Sequence, residues 1–226
     1  MPFDKDVSLD PELLGKVFEN LLASYNPETQ QTARKQTGSF YTPREIVQYM
    51  VDESLVAHLK RTVGDELEDE YRKLLAYADS ETVLTEQQKL AIMQSLYNCR
   101  ILDPACGSGA FPVGVLQQMV HILKQIDPDN SRWKNMLLQF AIDETSEAYL
   151  TSTAEERREA VADIERAFDE NVNYPDYARK LHLIENCIYG VDIQPIAIQI
   201  SKLRFFISLV IDQKRNDNPA DNFGIR

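Results

Sequence analysis

Apolar positions recur at helical spacing through most of this chain, and only two short stretches break that rhythm. After Asp10-Pro11-Glu12, the residues Leu13, Leu14, Val17, Phe18, Leu21 and Leu22 form one stripe, as on an amphipathic helix. Asp10 is placed to cap that helix, Pro11 suits its first turn and Glu12 its positive end. Asn26-Pro27 should stop it near Tyr25. A second stripe, Ile46, Val47, Met50, Val51, Leu55 and Leu59, follows Thr42-Pro43-Arg44-Glu45. There Thr42 and Glu45 have capping-box spacing and Pro43 takes the first helical position. From Arg61 to Asn98 the pattern stays helical but carries the acidic run Asp65-Glu66-Leu67-Glu68-Asp69-Glu70, which predicts a solvated helical insertion. Val113, Leu116, Met119, Val120 and Leu123 predict a core helix that closes before Asp127-Pro128. A second helical insertion spans Ser131 to Lys180. Trp133, Leu137 and Phe140 share its apolar face, and a Thr153–Glu156 capping box opens a charged helix running through Phe168. The lone tryptophan is expected in the core. Ile196, Ile200, Leu203, Phe206, Ile207 and Val210 predict one more core helix.

The two interruptions share a design. Ile101-Leu102-Asp103-Pro104-Ala105-Cys106-Gly107-Ser108-Gly109-Ala110-Phe111 reads as a short buried strand ending in an acid, a glycine turn, and the start of a helix. Glu185-Asn186-Cys187-Ile188-Tyr189-Gly190-Val191-Asp192-Ile193-Gln194-Pro195 reads as a strand, a strand-end acid and a proline-started helix. A strand-end acid before a tight glycine loop is how an α/β sheet builds a cofactor cradle. The glycines let backbone N–H groups approach a ligand, and the helix N-terminus adds its positive dipole. Asp192 is placed to accept both ribose hydroxyls of an adenosine, with Ile193 against the base; the simpler role for such an acid is to cap the next helix.

A dinucleotide site requires a third glycine and an acid about 20 residues further on. Pro112 stands in place of that glycine and Asp192 lies far beyond that distance, so a nicotinamide-dependent oxidoreductase is disfavoured. The wording Asp-Pro-Ala-Cys-Gly-Ser-Gly-Ala-Phe instead resembles the S-adenosylmethionine loop of amino-type DNA methyltransferases. Gly38-Ser-Phe-Tyr-Thr-Pro-Arg-Glu-Ile-Val47 resembles the motif that precedes this loop in gamma-ordered N6-adenine methyltransferases, and Gly190-Val-Asp-Ile-Gln-Pro195 resembles their second cofactor motif. The opening Pro-Glu-Leu-Leu-Gly-Lys-Val-Phe-Glu-Asn-Leu-Leu is similar to fused restriction–modification methyltransferases of type IIG (class IIS) and to related phage-defence methyltransferases. So is the late Arg-Lys-Leu-His-Leu-Ile-Glu-Asn-Cys-Ile-Tyr-Gly-Val-Asp.

The resemblance implies an α/β fold, an incomplete Rossmann-like S-adenosylmethionine-dependent methyltransferase core. Residues 1–38 would form a helical lead and loop, and residues 39–226 the partial core, with helical insertions at about 61–98 and 127–182. It implies cofactor contacts from Phe40, Tyr41 and Thr42, from Asp103, Pro104, Ala105, Cys106, Gly107, Ser108 and Gly109, and from Asp192 and Ile193. It implies direct methyl transfer to an adenine flipped out of double-stranded DNA. An Asn-Pro-Pro-aromatic turn would grip the amino group, and this chain lacks it. Asp217-Asn218-Pro219-Ala220-Asp221 offers no ring to stack on a base and reads as a polar loop. No catalytic residue is therefore assigned, and the chain is expected to be an N-terminal, cofactor-binding piece that is inactive alone.

Composition changes the picture in one respect. A net charge of −12 is unsuited to gripping phosphates, which needs clustered Lys and Arg. DNA contacts are therefore expected from regions downstream of this chain. Arg34 and Lys35 form one of the few basic spots, in a polar segment that reads as an exposed loop or a phosphate or partner contact. Cys99, Cys106 and Cys187 show no CxxC spacing and, with three scattered histidines, no metal-ligand pattern. No metal is implied. They read as reduced thiols of a cytoplasmic protein, and the small size of Cys106 explains its place in the loop better than reactivity does. No apolar run is long enough for a membrane span and no signal-peptide pattern opens the chain. A non-catalytic scaffold with the same fold, or a methyltransferase acting on RNA or protein, remain the competing readings.

Overall fold

The computed structural model describes residues 25–26, 31–32, 42–77, 82–143 and 153–214. The expected helix after Asp10, the segment with Arg34 and Lys35, the site candidates Phe40 and Tyr41, and the Asp217–Asp221 loop lie outside the described residues. A small antiparallel pair, β1 (Tyr25–Asn26) and β2 (Gln31–Thr32), comes first.

Helix α1 (Arg44–Thr62) starts one residue later than its sequence suggests. Pro43 is the N-cap and its carbonyl accepts from the Ile46 and Val47 amides, so the Thr42–Glu45 capping box does not form. With Pro43 in the capping position, Thr42 sits outside the helix, where the following proline favours extended backbone. Val47, Val51, Leu55 and Leu59 are buried as expected, but Ile46 and Met50 are half exposed.

The acidic stretch forms a 3-10 turn (Asp65–Leu67) and α2 (Glu68–Leu75), followed by α3 (Glu86–Asn98), which opens on a Thr85–Gln88 capping box. The expectation of a merely solvated insertion is corrected here: Tyr71, Leu74, Ile92, Met93 and Leu96 are fully buried. Helical periodicity explains the difference, because it sorts one segment into two faces. The outer face carries an ion-pair network in which Glu68 bridges Lys60 and Arg72, and Arg72 also reaches Glu53.

Strand β3 (Ile101–Asp103) leads into α4 (Ala110–Ile126), an apolar helix against which α1, α2 and α3 pack. Helices α5 (Ser131–Ile142), α6 (Ala154–Ala167) and α7 (Pro175–Asn186) follow, with Trp133 fully buried and the Thr153–Glu156 capping box formed. Strand β4 (Ile188–Gly190) then pairs parallel to β3, with Ile101 opposite Ile188, Leu102 opposite Tyr189 and Asp103 opposite Gly190. Helix α8 (Pro195–Val210) closes the described chain, apart from a short turn to Lys214.

Two expectations about burial are overturned. Strand β3 is not buried, because Leu102 and its register partner Tyr189 both face out, 61% and 46% exposed. On α8 the apolar stripe is not the packed face. Ile200 and Leu209 are buried, yet Ile196, Leu203 and Phe206 are exposed, and the inward positions are Ala197, Ser201, Arg204 and Ser208. Hydrophobic spacing marks a helix face, but the neighbour decides which face is covered, and the neighbour of α8 includes a glycine loop that admits only small or hydrogen-bonding groups. Among the described residues the architecture is mostly helical around one parallel strand pair, consistent with an α/β methyltransferase-like fragment.

Candidate cofactor-binding site

Parallel pairing brings the ends of β3 and β4 to one edge, the edge where α/β sheets bind ligands. The chain leaves β3 at Asp103, whose Oδ1 accepts the Ala105 amide at 3.0 Å and so starts the turn. Cys106 N–H donates to the Val191 carbonyl at 3.0 Å, and Val191 N–H donates to the Asp103 carbonyl at 2.9 Å. The loop is thereby stitched to the continuation of β4. Gly107 and Gly109 have φ of +53° and +84°, backbone that side chains other than glycine rarely adopt. A side chain at Gly109 would also collide with the Ser201 hydroxyl, whereas Gly107 faces open space. Gly190 is small for a related reason, since a Cβ there would meet Cys106 Sγ at 3.0 Å.

Asp192 lies two residues beyond β4 and joins the two motifs. Its Oδ2 accepts the Gly107 amide at 2.9 Å and its Oδ1 accepts the Gln194 amide at 2.8 Å. Gln194 is the N-cap of α8. Asp192 therefore sets the entry of that helix by a local turn as well as binding the loop. A carboxylate offers about four acceptor positions, so hydroxyl donors can still be received.

A cavity of about 370 Å³ opens beside the loop, lined by Asp103, Pro104, Ala105, Cys106, Gly107 and Ser108, and by Thr42, Val47 and Met50 of the α1 entrance. Leu102, Ala110 and Phe111 complete it. The structure thus gathers Thr42 with the loop residues on one cavity. Gly109, Asp192 and Ile193 are not part of its wall; Asp192 reaches it only through Gly107, and Ile193 is 89% exposed. Burial, then the Asp103 and Asp192 charges, push the Cys106 thiol above its usual range. A neutral buried thiol is unreactive, which fits the packing role of Cys106. A second cavity, about 360 Å³, lies between α6 and α7 around His182 and contains none of the expected site residues.

Sequence reasoning missed Ser201 and Arg204 of α8. Arg204 is 4% exposed and one guanidinium N–H donates to the Ser108 carbonyl at 3.0 Å. The available signal was an arginine inside a mostly apolar helix, because a buried charge is retained only with partners. Among the described residues no group of His, Cys, Asp and Glu has a metal-binding arrangement, and no helix is long and apolar enough to cross a membrane.

Comparison with known proteins agrees with the sequence motifs. Residues 9–67 match the family of N-6 DNA methylases, a span that includes Phe40, Tyr41 and Thr42 but not the glycine loop. A protein of Methanocaldococcus jannaschii, provisionally named as a type II restriction enzyme and methyltransferase, is 28% identical over 214 residues. That alignment covers 91% of this chain and 14% of the relative, so the chain spans about one seventh of its length. No solved structure matches the chain. Together the family match and the relative support placing the chain with the N6 DNA methyltransferases of restriction–modification type.

Proposed function

We propose that this chain is the S-adenosylmethionine-binding part of a site-specific DNA adenine-N6 methyltransferase of a restriction–modification or phage-defence system. The observation that carries this reading is the bond between Gly107 N–H and the Asp192 carboxylate, which ties a glycine loop to a second strand-end acid on a neighbouring parallel strand. The residues fit the group. The loop backbone and Asp103 suit a methionyl chain, the two unused acceptor positions of Asp192 suit a ribose diol, and Ile193 offers an apolar surface to a base. The cavity of about 370 Å³ lies within the range of small-molecule sites. Phe40 and Tyr41 are proposed to line the same site.

When bound, S-adenosylmethionine supplies an electrophilic methyl group on a sulfonium centre. The residues of this chain bind and orient it, and none of them removes a proton. Reception of a flipped adenine and the grip on double-stranded DNA are assigned to regions outside this chain, in keeping with its net charge of −12.

The test is calorimetric titration of the chain with S-adenosylhomocysteine beside an Asp192→Ala variant. Binding by the parent that is lost in the variant is expected; binding unaffected by the substitution would overturn the assignment of Asp192. Transfer of labelled methyl groups to DNA by the isolated chain would overturn the assignment of catalysis to other regions.

A further inference from the structure

We propose that Arg204 is a positioning residue of the cofactor loop, acting with Asp192 as a two-sided clamp on the Gly107–Ser108 segment. This rests on the cofactor reading above and extends it to a helix that carries none of the motif residues.

Pro112 leaves a gap in the helix that follows the loop. Helix α4 has Gly109 as its N-cap, and the Gly109 carbonyl accepts from Val113 N–H at 3.0 Å. One more helical bond backwards would run from residue 112 to the Ser108 carbonyl. Proline has no N–H to give, so the helix cannot extend over the loop and the Ser108 carbonyl needs another donor. Ser108 is only 5% exposed, and a buried carbonyl without a donor is costly. The donor is Arg204, at 3.0 Å.

Asp192 takes the amide of Gly107 at 2.9 Å, and Arg204 takes the carbonyl of Ser108. The peptide group between those two atoms is therefore flanked on both sides, by the carboxylate at the preceding Gly107 N–H and by the guanidinium at the following Ser108 carbonyl. Both grips are charge-assisted, the stronger class of hydrogen bond. Both come from the same stretch of chain, the end of β4 and the helix it starts. Ser201, one turn before Arg204, packs against Gly109. Helix α8 thus presents a polar, small face to the loop and leaves Leu203 and Phe206 outside. A purely structural helix of this composition would have turned its apolar stripe inward.

The clamp predicts selectivity. The loop faces the amino-acid end of the ligand and Asp192 the ribose, so losing Arg204 should weaken ligands that have an amino-acid end and spare those that lack it. The experiment compares S-adenosylhomocysteine with adenosine, titrated into the parent chain and into Arg204→Met, together with hydrogen exchange of the loop amides without ligand. Expected is a loss of about 10- to 150-fold for S-adenosylhomocysteine, the range for a hydrogen bond to a charged group, with adenosine unchanged. Loop amides 105–109 should exchange at least about tenfold faster, with the α4 amides unaffected. Equal weakening of both ligands, or unchanged loop exchange, would overturn the clamp. If the parent binds neither ligand, the cofactor reading fails on its own terms and loop exchange alone decides the clamp. Arg204→Lys, which keeps one donor, should recover part of both effects; it also serves if the methionine variant does not fold.

Discussion

The amide of Gly107 donates to the carboxylate of Asp192 at 2.9 Å across 85 positions of sequence. One carboxylate thereby organises the loop after β3 and, through the Gln194 amide, the start of α8. Removing it should do more than delete a ligand contact. Asp192→Ala is expected to lower S-adenosylhomocysteine affinity by about 30- to 150-fold, the loss of about 2–3 kcal/mol from a multiply bonded carboxylate. Asp192→Asn keeps one acceptor oxygen and should lose less. Calorimetry on the three proteins orders them; equal affinities would remove Asp192 from the site.

The two loop glycines should differ in their tolerance of a methyl group. Gly107→Ala meets nothing within 4 Å and adds only left-handed backbone strain, about 1–2 kcal/mol. Gly109→Ala adds the same strain and also drives its Cβ into Ser201. Urea unfolding should show the larger loss at Gly109, partly recovered when Ser201→Gly is added. Equal losses, or no recovery, would count against the packing of α8 on the loop.

Exposure along α8 gives a contrast that a hydrophobic pattern alone does not. Ile200 is 3% exposed and Phe206 42%. Ile200→Ala should destabilise the chain by about 2–5 kcal/mol, as for a buried aliphatic truncation. Phe206→Ala should cost below about 1 kcal/mol. Denaturant midpoints of the two variants measure this directly, and a reversed order would mean that the other face of the helix is packed.

His182 supplies a pH dependence. It stacks on Tyr97, meets the Trp133 edge, and burial followed by the Arg100 charge lowers its pKa to about 4. The unfolded chain takes up this proton near pH 6.5 and the folded chain only near pH 4. Stability is therefore full above pH 6.5 and falls as the pH drops through that window, because the unfolded state binds more protons there. Between pH 7 and pH 5 this site should account for about 2 kcal/mol of the loss. His182→Phe cannot titrate and should show a correspondingly smaller loss in urea titrations at the two pH values. An unchanged loss would exclude His182 as its source.

Much of the element order was legible from local chemistry. The helix over Ala110–Ile126, the burial of Trp133 and the Thr153–Glu156 capping box follow from periodicity and capping rules, which act within a few residues. The strand-end acids Asp103 and Asp192 and the glycines between them could be picked out for the same reason. The Thr42–Glu45 box was not formed although its spacing was correct, since Ser or Thr spacing alone does not say which residue the helix chooses as its first. Tyr71 and Leu74 were hidden directly behind an acidic run, in the helix that run begins, because net charge averages over the two faces that a helix separates.

The sequence by itself determined that an acid, a glycine turn and an apolar helix would follow one strand, and that a second acid would follow another. Those features depend on backbone freedom at glycine, the fixed angle of proline and spacing along a single helix or strand. Only the tertiary structure decided that Gly107 would bond to Asp192, that Arg204 would supply the donor Pro112 lacks, and that Leu203 and Phe206 would face outward. Those outcomes depend on which surfaces meet across many tens of residues, and no periodicity within one helix encodes the identity of its neighbour.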